Sequence, residues 1–299
     1  MTENTFRADT GDRPVLVAVD GSASSYQAAA WAAVDAATHG ARLHVLTSVA
    51  LIGGLGPAMS LPEAEMTWLR TDGQRIVTEA ARIAREAVQD AELDLTTEVT
   101  FDLPIPSLIE RSKTLRTLVV GSRGLGAFQR GLLGSVSTAV ARHAHCPVAV
   151  VHDRSATDAV TLTKPVLVGV DGSENSVAAV EYAFDQAARR KAELVALHAW
   201  RDSSSIDLSV ADWDSIRESE RALLAERLAG FGERYPDVTV RRIVVADRPV
   251  RALLEASTDA QLVVVGSHGR GGFSGMLLGS TSNALLHVVE CPIVVIRQR

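Results

Sequence analysis

The chain spells one long motif twice. Residues 118–137 read L-V-V-G-S-R-G-L-G-A-F-Q-R-G-L-L-G-S-V-S, and residues 262–282 read L-V-V-V-G-S-H-G-R-G-G-F-S-G-M-L-L-G-S-T-S. In each copy an apolar, β-branched run breaks into G-x-x-G, nine residues follow, and Gly-Ser opens an alanine- or leucine-rich segment. That pattern predicts a strand, a glycine loop and a helix N-terminus. Glycines at such a turn let backbone N–H groups approach an anion with no Cβ in the way, and the helix start offers unpaired N–H groups and a favourable dipole. A chain that carries this unit twice is constrained to build its sheet twice.

The segments around the motif agree. Pro14–Asp20 is a short, nearly all-apolar run, the mark of a parallel strand covered on both faces. Asp20-Gly21-Ser22 ends it, and Ser22 or Ser24 caps an alanine-rich helix that runs to Thr38 and stops near Gly40. Leu43–Val49 reads as a second strand. Gly53, Gly54, Gly56 and Pro57 mark a loop, and a long helix follows over Glu63–Asp90. Leu95–Phe101 is a third strand, Pro104 and Pro106 introduce a short helix over Ser107–Lys113, and Leu115–Gly121 is the fourth strand. Ser135–His145 is a helix and Pro147–His152 a fifth strand. Alternation of this kind implies a parallel sheet with helices on both faces and right-handed crossovers.

The pattern then restarts. Pro165–Asp171 repeats the opening strand, Glu193–Trp200 the second and Ala211–Arg234 the long helix. Val238–Val245 repeats the third strand, Pro249–Ser257 the short helix, Gln261–Gly266 the fourth strand and Pro292–Arg297 the fifth. The expected organisation is a flexible tail over 1–13, a first domain over 14–153, a polar linker over 154–164 and a second domain over 165–299. An internal repeat this long means two copies of one domain rather than a solenoid.

Composition narrows the partners. With 299 residues and 46% hydrophobic content the chain can bury two cores, and a net charge of −6 argues against a non-specific nucleic-acid binder. No apolar run reaches the roughly 20 residues of a membrane span, and 1–13 lacks the apolar centre of a signal peptide. The two cysteines, Cys146 and Cys291, hold equivalent Cys-Pro positions, which predicts two buried reduced thiols and a cytoplasmic protein.

In an open parallel sheet, ligands bind beyond the carboxyl ends of the strands where the strand order reverses. Asp20 and Asp171, at the ends of the first strands, are expected to meet Gly121 and Gly266 there. Gly134-Ser135 and Gly279-Ser280 lie at the next helix start, where the hydroxyls of Ser135, Ser137, Ser280 and Ser282 would add donors. Two plainer roles stay open: Ser135 and Ser280 as N-caps, and the two aspartates as Asx-turn residues. The P-loop G-x-x-x-x-G-K-[ST] and the dinucleotide G-x-G-x-x-G after the first strand are both missing, as is any H-E-x-x-H or paired Cys-x-x-Cys metal motif.

G-x-x-G-x9-G-[ST], the opening V-x-V-D-G-S and the closing C-P-V-x-V-V or C-P-I-V-V-I together resemble the universal stress protein family in its tandem, ATP-binding form. The resemblance spans Pro14 to Arg297. It implies two tandem flavodoxin-like α/β domains, each a five-stranded parallel sheet of order 3-2-1-4-5 with helices on both faces. Carried over by position, it implies that Asp20 and Asp171 lie beside the adenosine and that Ser48 and Ala199 offer backbone to adenine. The loop residues Gly121, Ser122, Arg123, Gly124 and Gly126, and Gly266, Ser267, His268, Gly269 and Arg270, would hold ribose and phosphates. Gly134, Ser135, Val136 and Ser137, and Gly279, Ser280, Thr281 and Ser282, would reach the terminal phosphates. Mg2+ would sit at the phosphates, with no side chain singled out as its ligand.

The copies differ at named positions. Ala18 stands where the second has Gly169, which suggests less room for the first nucleotide; Arg123 answers to His268, Leu125 to Arg270 and Arg130 to Gly275. The function expected is a nucleotide-dependent stress-response regulator or sensor, with one ATP per domain and at most slow hydrolysis. The alternative is an adenylating or ATP-hydrolysing enzyme. The apolar fifth strands, at the sheet edges in this order, invite pairing of the two repeats edge to edge, and the resemblance implies further assembly to a homodimer.

Overall fold

The computed structural model describes residues 13–50, 62–89, 92–124, 133–153, 155, 158, 160–173, 175–200, 210–269 and 277–297. The chain divides into two compact units, Met1–Asp153 and Arg154–Arg299. Residues 1–12 of the predicted tail, the glycine loop at 53–57, Asp90 and the G-x-x-G followers Leu125, Gly126, Arg130, Arg270 and Gly275 lie outside the described residues.

The first half runs β1 (Val15–Ala18), α1 (Ala23–His39), β2 (Leu43–Ser48), α2 (Glu63–Val88), β3 (Leu95–Thr100), α3 (Pro104–Arg111), β4 (Thr117–Gly121), α4 (Ser135–His143) and β5 (Val148–Val151). The second repeats it as β6 (Val166–Gly169), α5 (Asn175–Arg190), β7 (Leu194–Ala199), α6 (Val210–Arg234), β8 (Val240–Val245), α7 (Pro249–Ser257), β9 (Leu262–Gly266), α8 (Ser280–Val288) and β10 (Ile293–Ile296). Strand order is β3-β2-β1-β4-β5 in the first half and β8-β7-β6-β9-β10 in the second. Every pair within a half is parallel, with registers such as Val17 opposite Val45 and Val119 in the first half and Val168 opposite Ala196 and Val264 in the second.

This order explains the layers. From β1 the chain steps outward through β2 to β3, then returns to β4 and on to β5. Right-handed crossovers therefore put α1 and α2 on one face and α3 and α4 on the other. Accordingly, α1 packs on α2 and α3 on α4, and α5 packs on α6 and α7 on α8. Covered on both faces, the central strands are fully buried: Val15, Val17, Leu118 and Val119 in one half, Val166, Val168, Val263 and Val264 in the other are 0% exposed.

Boundaries shift by a residue or two from the sequence reading, except at α3. That helix starts at Pro104, with proline in its first turn, and ends at Arg111. A proline there costs no hydrogen bond because first-turn N–H groups have no intrahelical partner, so the pair of prolines lies inside the helix start rather than before it. The expected linker carries a 3-10 turn over Thr161–Thr163, with the Asp158 carboxylate accepting from the N–H groups of Val160 and Thr161. Both cysteines are free, and burial pushes the Cys291 thiol up to about 12, which keeps it protonated. Among the described residues no helix is long and apolar enough to cross a membrane.

Candidate functional site

The reversal of strand order falls between β1 and β4, and between β6 and β9. There the first-strand aspartate and the fourth-strand glycine loop converge. Asp20 Oδ1 accepts from Ser22 N–H at 3.0 Å and from Ser22 Oγ at 2.6 Å, while Gly21 takes the left-handed φ of 87° that the tight turn requires. The other oxygen, Oδ2, stands 2.4 Å from where a Cβ on Gly124 would be. The second half repeats this: Ser173 N–H and Oγ bond Asp171 Oδ1 at 2.9 and 2.6 Å, and a Cβ on Gly269 would lie 2.5 Å from Asp171 Oδ2. The Asx turn and the contact with the loop are thus both real, on separate oxygens of one carboxylate.

Gly121 is glycine for a second reason. A Cβ there would lie 2.7–2.8 Å from Ser24 Oγ and from backbone atoms of Ser24 and Ser25, so the end of β4 presses directly on the start of α1. Ser24 Oγ donates to the Arg123 carbonyl at 2.5 Å and accepts from Arg123 N–H at 3.3 Å, stapling the two loops together. Sequence reasoning gave Ser24 only a capping role. Ser22 is the N-cap of α1, and the signal for Ser24 was the run of serines after Asp20.

From the fourth strand the backbone turns into the next helix through short bonds. Ser122 N–H donates to Val151 at 2.7 Å and Gly134 N–H to the Ser122 carbonyl at 2.8 Å; Ser267 donates to Ile296 at 2.7 Å and Gly279 to Ser267 at 2.6 Å. Gly134 and Gly279 are the N-caps of α4 and α8, and neither helix has a side-chain cap bond. This corrects the capping alternative for Ser135 and Ser280, which occupy the first helical position and are exposed. The first turn of each helix therefore presents N–H groups that its glycine cap does not answer.

The serines of the motif split by role. Ser137 Oγ is buried and donates to the Gly121 carbonyl at 2.6 Å, and Ser282 Oγ, also buried, is 3.1 Å from the carbonyls of Ser267 and Gly279. These hydroxyls hold the loop against the helix and are not presented as outward donors, contrary to expectation. Val136 and Thr281 lie between them, half-buried. Ser122 is 2% exposed, and its Oγ has no hydrogen-bond partner among the described residues; Ser267 Oγ lies 3.1 Å from His268 Nδ1. Arg123 extends to Asp153, with a 2.8 Å ion pair.

Ser48 and Ala199 are the last residues of β2 and β7. Leu46 and Leu197 give their carbonyls to the N–H groups of Val19 and Val170 at 2.9 Å. By strand alternation the backbone of Ser48 and Ala199, two residues on, faces the same side, beyond the end of the first strand. Ser48 Oγ itself turns away, donating to the Asp102 carbonyl. The exchange of Ala18 for Gly169 does not bear on nucleotide room: a Cβ on Gly169 would meet Leu253 of α7 at 3.1 Å and Val265 at 3.5 Å, under the sheet rather than in the cleft. Gly126 and Arg270 lie outside the described residues.

A model of the universal stress protein family matches residues 12–152 and again 163–297. A universal stress protein of Mycobacterium tuberculosis is 48% identical over 285 residues, covering 95% of this chain and 97% of that one. A second from the same organism is 38% identical over 285 residues, covering 95% and 96%. Among solved structures, a universal stress protein from Archaeoglobus fulgidus superposes with a TM-score of 0.65 at 23% identity, covering 95% of this chain and 96% of that chain, and shares the fold.

Proposed function

The chain belongs to the universal stress protein family, and from that premise we propose that each half holds one ATP and that occupancy of the two sites is the signal of a cytoplasmic stress-response regulator. The observation that carries this reading is the duplicated approach of a strand-end carboxylate to the space that a Cβ on the G-x-x-G glycine would fill, Asp20 at Gly124 and Asp171 at Gly269.

The residues fit such a ligand. The carboxylate sits beside the loop as an acceptor for a sugar hydroxyl, and the backbone of Ser48 and Ala199 faces the place where a base edge would lie. The uncapped N–H groups at Ser135 to Ser137 and Ser280 to Ser282 suit phosphate oxygens, an interaction at a helix start of about 0.3–1 kcal/mol at exposed sites and up to roughly 2 kcal/mol when partly buried. Bound nucleotide would supply the negative charge that these N–H groups neutralise, and Mg2+ would be held at its phosphates. Both aspartates are engaged in holding their turns, so the reading assigns them recognition and not water activation. Turnover is expected below the roughly 1 s⁻¹ floor of ordinary enzymes. Assembly into a homodimer belongs to the same reading, and light scattering tests it: a mass of one chain at micromolar concentration would contradict it.

Calorimetry with ATP tests the sites. Two nucleotides should bind per chain, and Gly124→Ala or Gly269→Ala should each weaken one of them about tenfold or more, roughly 1.4 kcal/mol, by driving a methyl group into the carboxylate. Wild-type binding of both nucleotides in both variants, or no binding by the native chain, would overturn the assignment.

A further inference from the structure

Beneath the second cleft lies a bridge that the first lacks. His198 on β7 is 3% exposed; its Nδ1 lies 2.6 Å from the Val170 carbonyl and its Nε2 lies 2.8 Å from the Glu220 carboxylate on α6. Val170 immediately precedes Asp171, and His198 immediately precedes Ala199. One imidazole is therefore tied to both strand ends that frame the cleft, and through Glu220 to a helix.

The first half closes the same corner differently. There the equivalent carbonyl, that of Val19, accepts from Thr47 Oγ1 at 2.7 Å. The helix residue facing Thr47 is Gly73, where a Cβ would lie 2.7 Å from a Val99 methyl, 2.8 Å from a Val49 methyl and 3.4 Å from Thr47 Cγ2. No larger side chain fits. The halves thus differ by a coupled replacement: a small neutral pair in one, an ionisable pair in the other.

Donor counting fixes the proton. A carbonyl only accepts, so Nδ1 carries a hydrogen; an ionised carboxylate only accepts, so Nε2 carries one as well. The bridge holds one proton more than a neutral ring beside a free carboxylate. Once that proton leaves, a ring still bonded to Val170 turns the Nε2 lone pair onto Glu220, and the contact between β7 and α6 must open. Among the described residues, the charged and titratable groups on the elements around this corner include Asp171 after β6, Arg217 and Arg221 on α6, Arg242 on β8 and, in the glycine loop of the same cleft, His268, whose Nδ1 lies 3.1 Å from Ser267 Oγ. Arg221 and Arg242 line one groove with Leu224, Ile243 and Val244, and Arg217 and Arg221 are engaged by Asp214 and Glu218.

We infer that the His198–Glu220 bridge makes nucleotide binding at the second site proton-dependent, strongest with the bridge protonated, whereas the first site, built on Thr47, lacks this dependence. The inference rests on reading both clefts as nucleotide sites. His198 and Glu220 act as positioning residues, by holding the strand ends that carry Asp171 and Ala199.

The test titrates ATP into the full chain from about pH 6 to about pH 9, the range that spans histidine ionisation. Gly124→Ala isolates the second site and Gly269→Ala the first. Ionisation of ATP itself is common to both, and a His268→Arg background, which copies Arg123 of the first loop, removes the titratable side chain peculiar to the second loop, so the remaining difference between the sites is what is read. The second site should lose at least about threefold more affinity than the first as pH rises. Glu220→Gln should remove that difference, because an amide can donate to a neutral ring or accept from it, and His198→Thr combined with Glu220→Gly, which installs the first half's corner, should remove it too. Parallel profiles at the two sites, or a difference that survives Glu220→Gln, would overturn the inference while leaving the sites standing. No ATP binding at either site would instead bring down the nucleotide reading and this inference with it.

Discussion

In the first half α1 meets α2 through alanines, whereas in the second α5 meets α6 through stacked rings. Ala28, Ala29, Ala32, Ala33 and Ala36 of α1 are fully buried, as are Ala80 and Ala84 of α2, and the two helices run close. In the second half Phe184 of α5 is 0% exposed and stacks on Phe231 and Tyr235 of α6, with ring centroids 5.5 and 5.6 Å apart. Phe184 stands where Ala33 does, eight residues after the buried serine that follows each Asx turn, Ser176 and Ser25. Yet the Asx turn, the approach of its carboxylate to the G-x-x-G glycine and the glycine-capped helix start are the same in both halves. The geometry of the cleft depends on strand ends and first turns, and the helical cover can be rebuilt without disturbing it.

The largest effect that comparison predicts is on the aromatic stack. Phe184→Ala should destabilise the second half by about 3–5 kcal/mol, the lost transfer energy plus the cavity left between rigid neighbours. The first half should hold its stability, and hydrogen exchange resolved by segment under increasing urea would separate the two. Placing the ring in the other half, Ala33→Phe, should cost about 1–3 kcal/mol by overpacking. A Phe184→Ala protein that unfolds like the native chain would show that the stack is ornamental and the comparison of helix covers empty.

Much of this was legible in the sequence, and the reasons it stopped where it did are physical. Glycine, aspartate and serine mark turns because few other residues satisfy the backbone there, so the convergence of Asp20 with the loop that begins at Gly121 could be anticipated, whereas the strand order followed from the family resemblance and the partner of Asp20 is Gly124 rather than Gly121. The direction of a hydroxyl could not. Ser135 and Ser137 differ by two positions on a helix, which sends one to solvent and the other onto the Gly121 carbonyl. Gly169 read as extra room in the cleft, but strand alternation turns that position toward Leu253. His198 and Glu220 are 22 residues apart in the chain and sit on different elements, so neither residue alone signals the bridge.

A smaller difference lies where the first helix of each half ends. Gly40 closes α1 at φ 62°, its N–H donating to the Ala36 and Ala37 carbonyls, while Lys191 takes the same left-handed conformation after α5 at φ 52°. A side chain in that region crowds the following carbonyl at roughly 1 kcal/mol. Lys191→Gly should therefore stabilise the second half by about 0.5–1 kcal/mol, and Gly40→Ala should destabilise the first by about 1 kcal/mol. Thermal denaturation of the two variants should move in opposite directions. Shifts of the same sign would mean that the two helix ends are not equivalent after all.

The smallest expected effect distinguishes the outer strands by their charge. On β3, Glu98 receives both Arg111 terminal nitrogens, at 2.6 and 2.9 Å, and lies 2.9 Å from His44 Nε2. The register partner of Glu98 is Leu46, and the matching partner of Leu197 on β8 is Ile243, so the second half has an apolar side chain at that place. The Arg111 guanidinium, helped by His44 and opposed by partial burial, holds the Glu98 carboxyl below the ordinary glutamate range. A depressed pKa contributes stability that is present above the unfolded value, about 4.3, and is lost as pH falls through the folded one. Because the pair is about one-third exposed, solvent screening limits the effect to less than about 1 kcal/mol. Acidifying from neutral pH to about pH 3 should thus weaken the first half of the native chain more than that of Glu98→Gln, with the second half responding alike in both proteins. Equal acid sensitivity of the first half in the two proteins would assign its outer strand no electrostatic support, and would leave packing as the whole of the difference between the halves.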